Sequence, residues 1–226
     1  MLKKRMLIII PIVLILMSGF IFSVFYLQAK EVNITTGEAT ILILCVDPSE
    51  GKAGVGGVDA IIISKIKNWQ INSIEPIWPG HIYHPTAKPP QDLKEHLTQY
   101  KLDPVHYYLH DCFWQGNTQA GAKLAAETLE YNTKIKANFV IIINPQAVDT
   151  IIQTVGPVYV PGQGYVNGNS IELLRDQHRN QGISRSESLN SLFNGIITAS
   201  KDKSKYLSIV YALVTGYLKG NIVLVT

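Results

Sequence analysis

Two arginine-bearing stretches and three acidic residues are where this sequence could do chemistry. Leu174-Arg175-Asp176-Gln177-His178-Arg179 is followed by Gly182-Ile183-Ser184-Arg185. Ser184, with Glu187 three residues on, fits a capping box, which predicts a helix with Arg185 in its first turn. A cation there opposes the helix dipole. A bound anion reverses that balance, because the free backbone N–H groups and the guanidinium then act on it together. Arg175 and Arg179 stand one helical turn apart and can join the same anion, with His178 between them as a further substrate contact. The pattern suits a phosphate or a pyrophosphate. The plainer alternative is a set of surface ion pairs with Asp176 and Glu187.

The acidic candidates are Asp47, Asp59 and Glu75. Each stands at the end or the start of a strand-like run. If the three runs form successive hairpins, the carboxylates converge on one edge of a sheet. Such a cluster can hold Mg²⁺, a hard cation that takes oxygen ligands and keeps several waters. The alternative is that Asp47 caps a turn with Pro48, Asp59 borders a loop and Glu75 is solvated. His81 and His84 lie in a stretch punctuated by Pro76, Pro79, Pro85, Pro89 and Pro90, which denies them a helix. Zinc needs more ligands of defined geometry than these two. They are read as residues of a structured loop, His84 facing the acidic edge and both contacting substrate, against the alternative of loop histidines in water. His110-Asp111 reads as part of a strand, where neighbouring side chains point to opposite faces, so it is not read as a dyad. Cys112 has no identifiable base and is a weak nucleophile candidate.

These residues need a scaffold. Residues 39–46 and 59–66 read as buried strands rich in Ile, Leu and Val, separated by a glycine-rich loop over 48–57. A turn at 67–69 leads to a third strand at 70–75, and 76–90 reads as irregular. Residues 118–132 form an amphipathic helix with Thr118 as its cap. A strand at 137–143 follows. Asn144 then caps a helix with Pro145 at its first position, ended by Gly156. Residues 157–160 are extended and 170–177 helical. The Ser184 helix runs to about 200, a further helix spans 203–219, and 221–225 is a final edge strand. Strand hairpins followed by alternating helix and strand imply an α/β domain: a mixed sheet with helices packed on both faces.

The first thirty residues place that domain. Lys3-Lys4-Arg5 precedes an uncharged apolar run over 6–26, long enough to cross a bilayer as one helix, which takes about 20 residues. Positive charge before the span keeps the N-terminus cytoplasmic. The expectation is an uncleaved, single-pass anchor over 1–30 and an extracytoplasmic domain over 31–226, in the cell membrane. A cleavable signal peptide is the competing reading, but 27–29 match a cleavage site poorly. The net charge is +3 over 226 residues, and the three basic residues before the anchor can supply it. The outer domain is then near neutral, which argues against a nucleic-acid binder. Two cysteines make neither a disulfide framework nor a metal motif, and Cys45 reads as a core thiol.

Taken in order, these segments resemble a known family. Ile41-Leu42-Ile43-Leu44-Cys45-Val46-Asp47 is followed by Val58-Asp59-Ala60-Ile61-Ile62-Ile63. Gly121-Ala122-Lys123-Leu124-Ala125 then lies on a helix, and a strand–helix unit ends in Val155-Gly156-Pro157-Val158-Tyr159-Val160. The Arg/His helix and Gly182-x-x-Arg185 close the pattern. The chain resembles the LytR-CpsA-Psr envelope phosphotransferases over residues 39 to about 200. It looks closest to a related group, the domain of unknown function 4012, in what resembles its archaeal branch. The resemblance implies an α/β/α fold that holds a polyprenyl phosphate. It also implies Mg²⁺-assisted transfer of a glycopolymer from that lipid to the cell wall. Asp47 and Asp59 match the family's strand-edge aspartates, and Arg175 and Arg185 its two C-terminal arginines. The sequence departs from the pattern where Gly56-Gly57-Val58 and the segment 75–80 replace two further arginines. His81, His84 and Lys88 are candidates to take their place.

Two functions follow. In the first, Asp47, Asp59 and Glu75 hold Mg²⁺ against a pyrophosphate, and Arg175 and Arg185, with Asp59, carry the transfer. In the second, the domain keeps the fold and binds envelope glycolipid or polymer without catalysis.

Overall fold

The protein is described by a computed structural model covering residues 38–50, 54–67, 70–170, 172–174 and 182–225. The apolar run of the N-terminus lies outside these residues. Among the described residues no helix is long and apolar enough to cross a membrane.

The chain divides into two compact units, residues 1–39 with 65–72, and residues 40–64 with 73–226. In the smaller unit Lys67 Nζ donates to the Glu38 carboxylate at 2.5 Å, which draws the Glu38 carboxyl below and the Lys67 ammonium above their ordinary values. Both groups are exposed, so the pair adds little to stability.

The chain forms a five-stranded sheet. The strands are β1 (Glu38–Asp47), β2 (Gly57–Lys67), β3 (Gln70–Ile77), β6 (Phe139–Ile143) and β9 (Ile222–Val225), in the order β3-β2-β1-β6-β9. Two short antiparallel pairs stand apart from it: β4 (Tyr83–His84) with β5 (Tyr107–Tyr108), and β7 (Val158–Val160) with β8 (Gly164–Val166). β1 and β6 run parallel, Leu42 opposite Val140 and Cys45 opposite Ile143. β9 runs antiparallel to β6. β1 and β2 are near-continuous apolar runs, as strands covered on both faces must be.

The covering helices are α1 (Gln91–Gln99), α2 (Thr118–Thr133), α3 (Pro145–Val155), α4 (Arg185–Ala199) and α5 (Tyr206–Leu218). On one face Leu42, Leu44, Ile61 and Ile63 pack with Phe113 and with Ala122, Ala125 and Leu129 of α2. On the other, Ile43, Cys45 and Ile143 pack with Val148 and Ile152 of α3 and Leu192 of α4, while Ala60 and Ile62 meet Leu189 and Phe193. The layering is therefore α/β/α, as the segment pattern implies.

Local chemistry sets the helix ends. Asn144 Oδ1 accepts from Ala147 N at 3.0 Å with Pro145 at the first position, and Ser184 Oγ accepts from Glu187 N at 3.2 Å. The cap of α2 is Asn117, whose Oδ1 accepts from Ala120 N at 2.9 Å, and not Thr118. Asparagine wins because its carbonyl oxygen is one residue earlier, where the chain is still extended. Helix α1 and strand β8 have no counterpart in the sequence reading. Pro90 masks the start of α1 by its breaker character, although proline before a helix is compatible with one.

The β4–β5 pair is braced by an ionic cluster. Asp103 accepts from His106 Nδ1 at 2.5 Å, Tyr108 Oη at 2.9 Å and Val105 N at 2.8 Å. The His106 hydrogen bond, then that from Val105, holds the Asp103 carboxyl down at about 2, against an ordinary 3.8. A depressed carboxyl contributes stability above the unfolded value and loses it as pH falls through the folded one. Between pH 4 and pH 2 the protein should lose this contribution. In Asp103→Asn, acid titration followed by Tyr ring resonances should lack that step. An identical acid limb in the variant would show that other carboxylates dominate.

Candidate functional site

The site lies at the edge where β1 and β6 both end. Ligands of open α/β sheets bind outside the carboxyl ends of parallel strands. β1 delivers Asp47 there, buried, with Oδ1 accepting from Ser49 N at 2.8 Å. This is an Asp turn closing onto the 3-10 turn Pro48–Glu50. The return loop crosses close by. Gly56, at φ +100°, is so near the Asp47 carbonyl that a Cβ would stand 2.1 Å from its oxygen. Only glycine brings the loop through this point and on to Asp59, the third residue of β2.

His110, on the 3-10 turn Leu109–Asp111, joins these acids. Its Nδ1 is 2.8 Å from the Val58 carbonyl and 4.0 Å from Asp59 Oδ1, and its Nε2 is 3.3 Å from Glu50 Oε2. A carbonyl only accepts, so Nδ1 carries a proton and Nε2 is turned to Glu50. An imidazole thus stands beside Val58, in the stretch where the resembled family carries an arginine. The sequence reading passed over His110 because it took 107–111 as one strand. The strand ends at Tyr108, and the following turn redirects the side chain. Glu50 was also missed.

Beside this edge lies a small apolar cleft that encloses about 30 Å³, the space of one water molecule. Cys45 and Ile143 from the sheet, Val148 from α3, Leu174, and Leu189 and Phe193 from α4 form its walls, and Asp59 belongs to its lining. Asp149 Oδ1 accepts from Ser170 N at 2.9 Å, which fixes the wall from which Leu174 comes. Asn144 is held by Asn221 as well as by its cap. Burial, then the charge of Asp59, pushes the Cys45 thiol up to about 12. It is therefore no nucleophile at neutral pH.

The remaining candidates divide. Glu75 is exposed on β3, an edge strand. His81 is exposed on the 3-10 turn Pro79–His81. His84 Nδ1 accepts from Thr86 N at 3.2 Å and Ala87 N at 2.8 Å, and Nε2 is 3.9 Å from Glu127. Its ring closes its own turn and is turned to α2. The local hydrogen bonds occupy Nδ1. Arg175, His178 and Arg179 lie outside the described residues, as does the side chain of Arg185. The backbone of Arg185 opens α4 directly after the Ser184 cap. One turn in, Ser188 is buried, and its Oγ has no hydrogen-bond partner among the described residues.

The donor set bears on a metal. Among the described residues no group of three or more His, Cys, Asp or Glu side chains is gathered to hold an ion. Asp47, Asp59 and Glu75 are thus not a ready-made cage. Mg²⁺ commonly takes one or two carboxylates and completes its shell with water and substrate phosphates.

A mixed sheet between two helical layers, with acids and an apolar cleft at its carboxyl edge, is an α/β/α fold. The chain belongs to the family described as "Protein of unknown function (DUF4012)", whose profile matches residues 36–178. The fold is shared with TagV of B. subtilis (TM-score 0.54, 14% identity, covering 84% of this chain and 74% of that one). It is shared also with a Bacillus subtilis protein described as the transcriptional regulator yvhJ (TM-score 0.52, 15% identity, 84% and 70%). A structure described as "TagT bound to LIIa-WTA" is a third (TM-score 0.50, 14% identity, 74% and 65%). Comparison with curated proteins returns no match in sequence.

Proposed function

We propose that this is a membrane-anchored, extracytoplasmic protein of cell-envelope biogenesis that binds or transfers a polyprenyl-(pyro)phosphate-linked glycopolymer. One observation carries the reading: an apolar cleft has a carboxylate in its lining and lies at the edge where the parallel strands end. Such an edge suits a charged head group seated beside apolar surface. The fold supports it, since a neighbour of the same architecture has been solved with LIIa-WTA bound. The helix start at Ser184, with Arg185 first in the helix and the buried Ser188 hydroxyl one turn on, supports a phosphate there. Asp47 and Asp59 would hold Mg²⁺ brought with the pyrophosphate, and the ion would supply charge neutralisation as the bond to the leaving phosphate breaks. Arg175 and Arg185 would stabilise the same developing charge.

A second version, binding without catalysis, draws on the two arginine positions of the resembled family that Gly56-Gly57-Val58 and the segment 75–80 replace. The test common to both is direct. The full chain, purified in detergent, should yield a polyprenyl phosphate on mass spectrometry of its organic extract. No such lipid, together with no binding in a titration with added polyprenyl phosphate, would remove both. Turnover of a lipid-linked polymer that requires Mg²⁺ separates the enzyme from the binder.

A further inference from the structure

Helix α5 has no charged residue from Tyr206 to Leu218, yet much of it faces outward. Its inner side is accounted for: Ile209 packs into the core cluster of α3, Ala212 and Gly216 are buried, and a Cβ on Gly216 would come within 2.9 Å of Ile222. On the outer side Leu207 is 85% exposed, Tyr211 74%, Leu218 62% and Val210 56%, with Tyr206 and Tyr217 beside them, also exposed. At 3.6 residues per turn, positions 207, 211 and 218 fall in one stripe. Soluble monomers seldom leave so continuous an apolar face in water.

The rim of this face shows what it fits. Lys201 and Lys203 stand exposed before the helix and Lys219 just after it. Apolar and tyrosine side chains along a helix, with lysines at its ends, match the interface of a bilayer carrying anionic headgroups. Tyrosine, apolar in body and polar at its tip, settles at headgroup level. The helix has 13 residues, too few to cross, so it would lie in the plane of the surface. A second copy fits less well, because two-fold packing of this face brings lysine-flanked helix ends together. Chain length agrees. Residues 27–37 separate the apolar N-terminal run from β1, a reach of at most about 40 Å.

We infer that α5 docks the domain flat onto the anionic leaflet of a membrane through Leu207, Val210, Tyr211 and Leu218. The tether rests on the membrane-anchored reading above, but the chemistry of the face does not.

The test places a photoreactive benzoylphenylalanine at position 211 of the full chain, in vesicles containing phosphatidylglycerol. Position 131, an exposed tyrosine on α2, serves as control. After irradiation, the chain labelled at 211 should gain the mass of one phospholipid, and the control should not. In the 211-labelled chain, Lys201, Lys203 and Lys219→Gln, or vesicles of phosphatidylcholine alone, should reduce the adduct. An adduct to a second copy, to another segment of this chain, or equally at 211 and 131 overturns the docking. A carbonate wash judges the anchor separately. A chain that stays with the vesicles but forms no lipid adduct at 211 loses the docking and keeps the anchor. One that washes off, yet forms the adduct before the wash, keeps the docking and loses the anchor.

Discussion

Gly56→Ala should be among the most damaging single substitutions in this domain. The new Cβ would lie 2.1 Å from the Asp47 carbonyl oxygen and 2.8 Å from Pro48 Cα, at a φ of +100°. Both neighbours are backbone, so neither can swing aside as a side chain would. Holding a non-glycine residue at such a φ costs about 1–3 kcal/mol, and forcing an extra carbon into a filled space about 1–3 more. The expected loss, about 2–6 kcal/mol, is a large part of the 5–15 kcal/mol that typical domains possess. Urea unfolding of the full chain in detergent would measure it as a drop in midpoint with little change in slope. Survivors should bind polyprenyl phosphate poorly, since the clash shifts Asp47 and the start of β2 together. A midpoint within experimental error of the parent would mean that the loop is free to move away from Asp47, and the fixed acidic edge would have to be given up.

Arg185→Ala should act in the opposite way, sparing the fold and striking the ligand. Ser184 caps α4 through its own Oγ, so the helix should persist. A charge-assisted hydrogen bond contributes about 1.5–3 kcal/mol. Its loss should weaken binding of a polyprenyl phosphate by about one to two factors of ten. Titration of the detergent-purified chain would read that change, and a thermal melt would accompany it. Unchanged affinity with a lowered melting temperature would identify Arg185 as an ion-pair residue and remove the phosphate from this helix end.

The local order of the chain was legible from its residues. β1, β2, β6 and α3 follow from runs of Ile, Leu and Val, from Asn144-Pro145 and from Gly156, because burial, capping and chain stiffness act over a few neighbours. The two-sided packing followed too, since a strand apolar on both faces needs a layer on each. Asp47 and Asp59 were picked out for the same local reason, as charges ending or opening apolar runs.

What depended on distant segments was not legible. His110 is 52 positions from the Val58 carbonyl it meets, and nothing near either residue announces the contact. His84 looked available because the sequence does not show which nitrogen a turn will use. The cleft is built from five separate stretches, at residues 45–46, 59–60, 143–148, 170 with 174, and 189–193, and its walls exist only once α3 and α4 have settled on the sheet. The apolar side of α5 could be read as a core stripe until packing used one side of the helix and left the other exposed. Sequence determines what each segment prefers by itself, through short-range sterics and hydrophobicity. Which charges meet and which apolar faces stay open is decided by the tertiary arrangement, because those energies arise only between groups that folding has brought together.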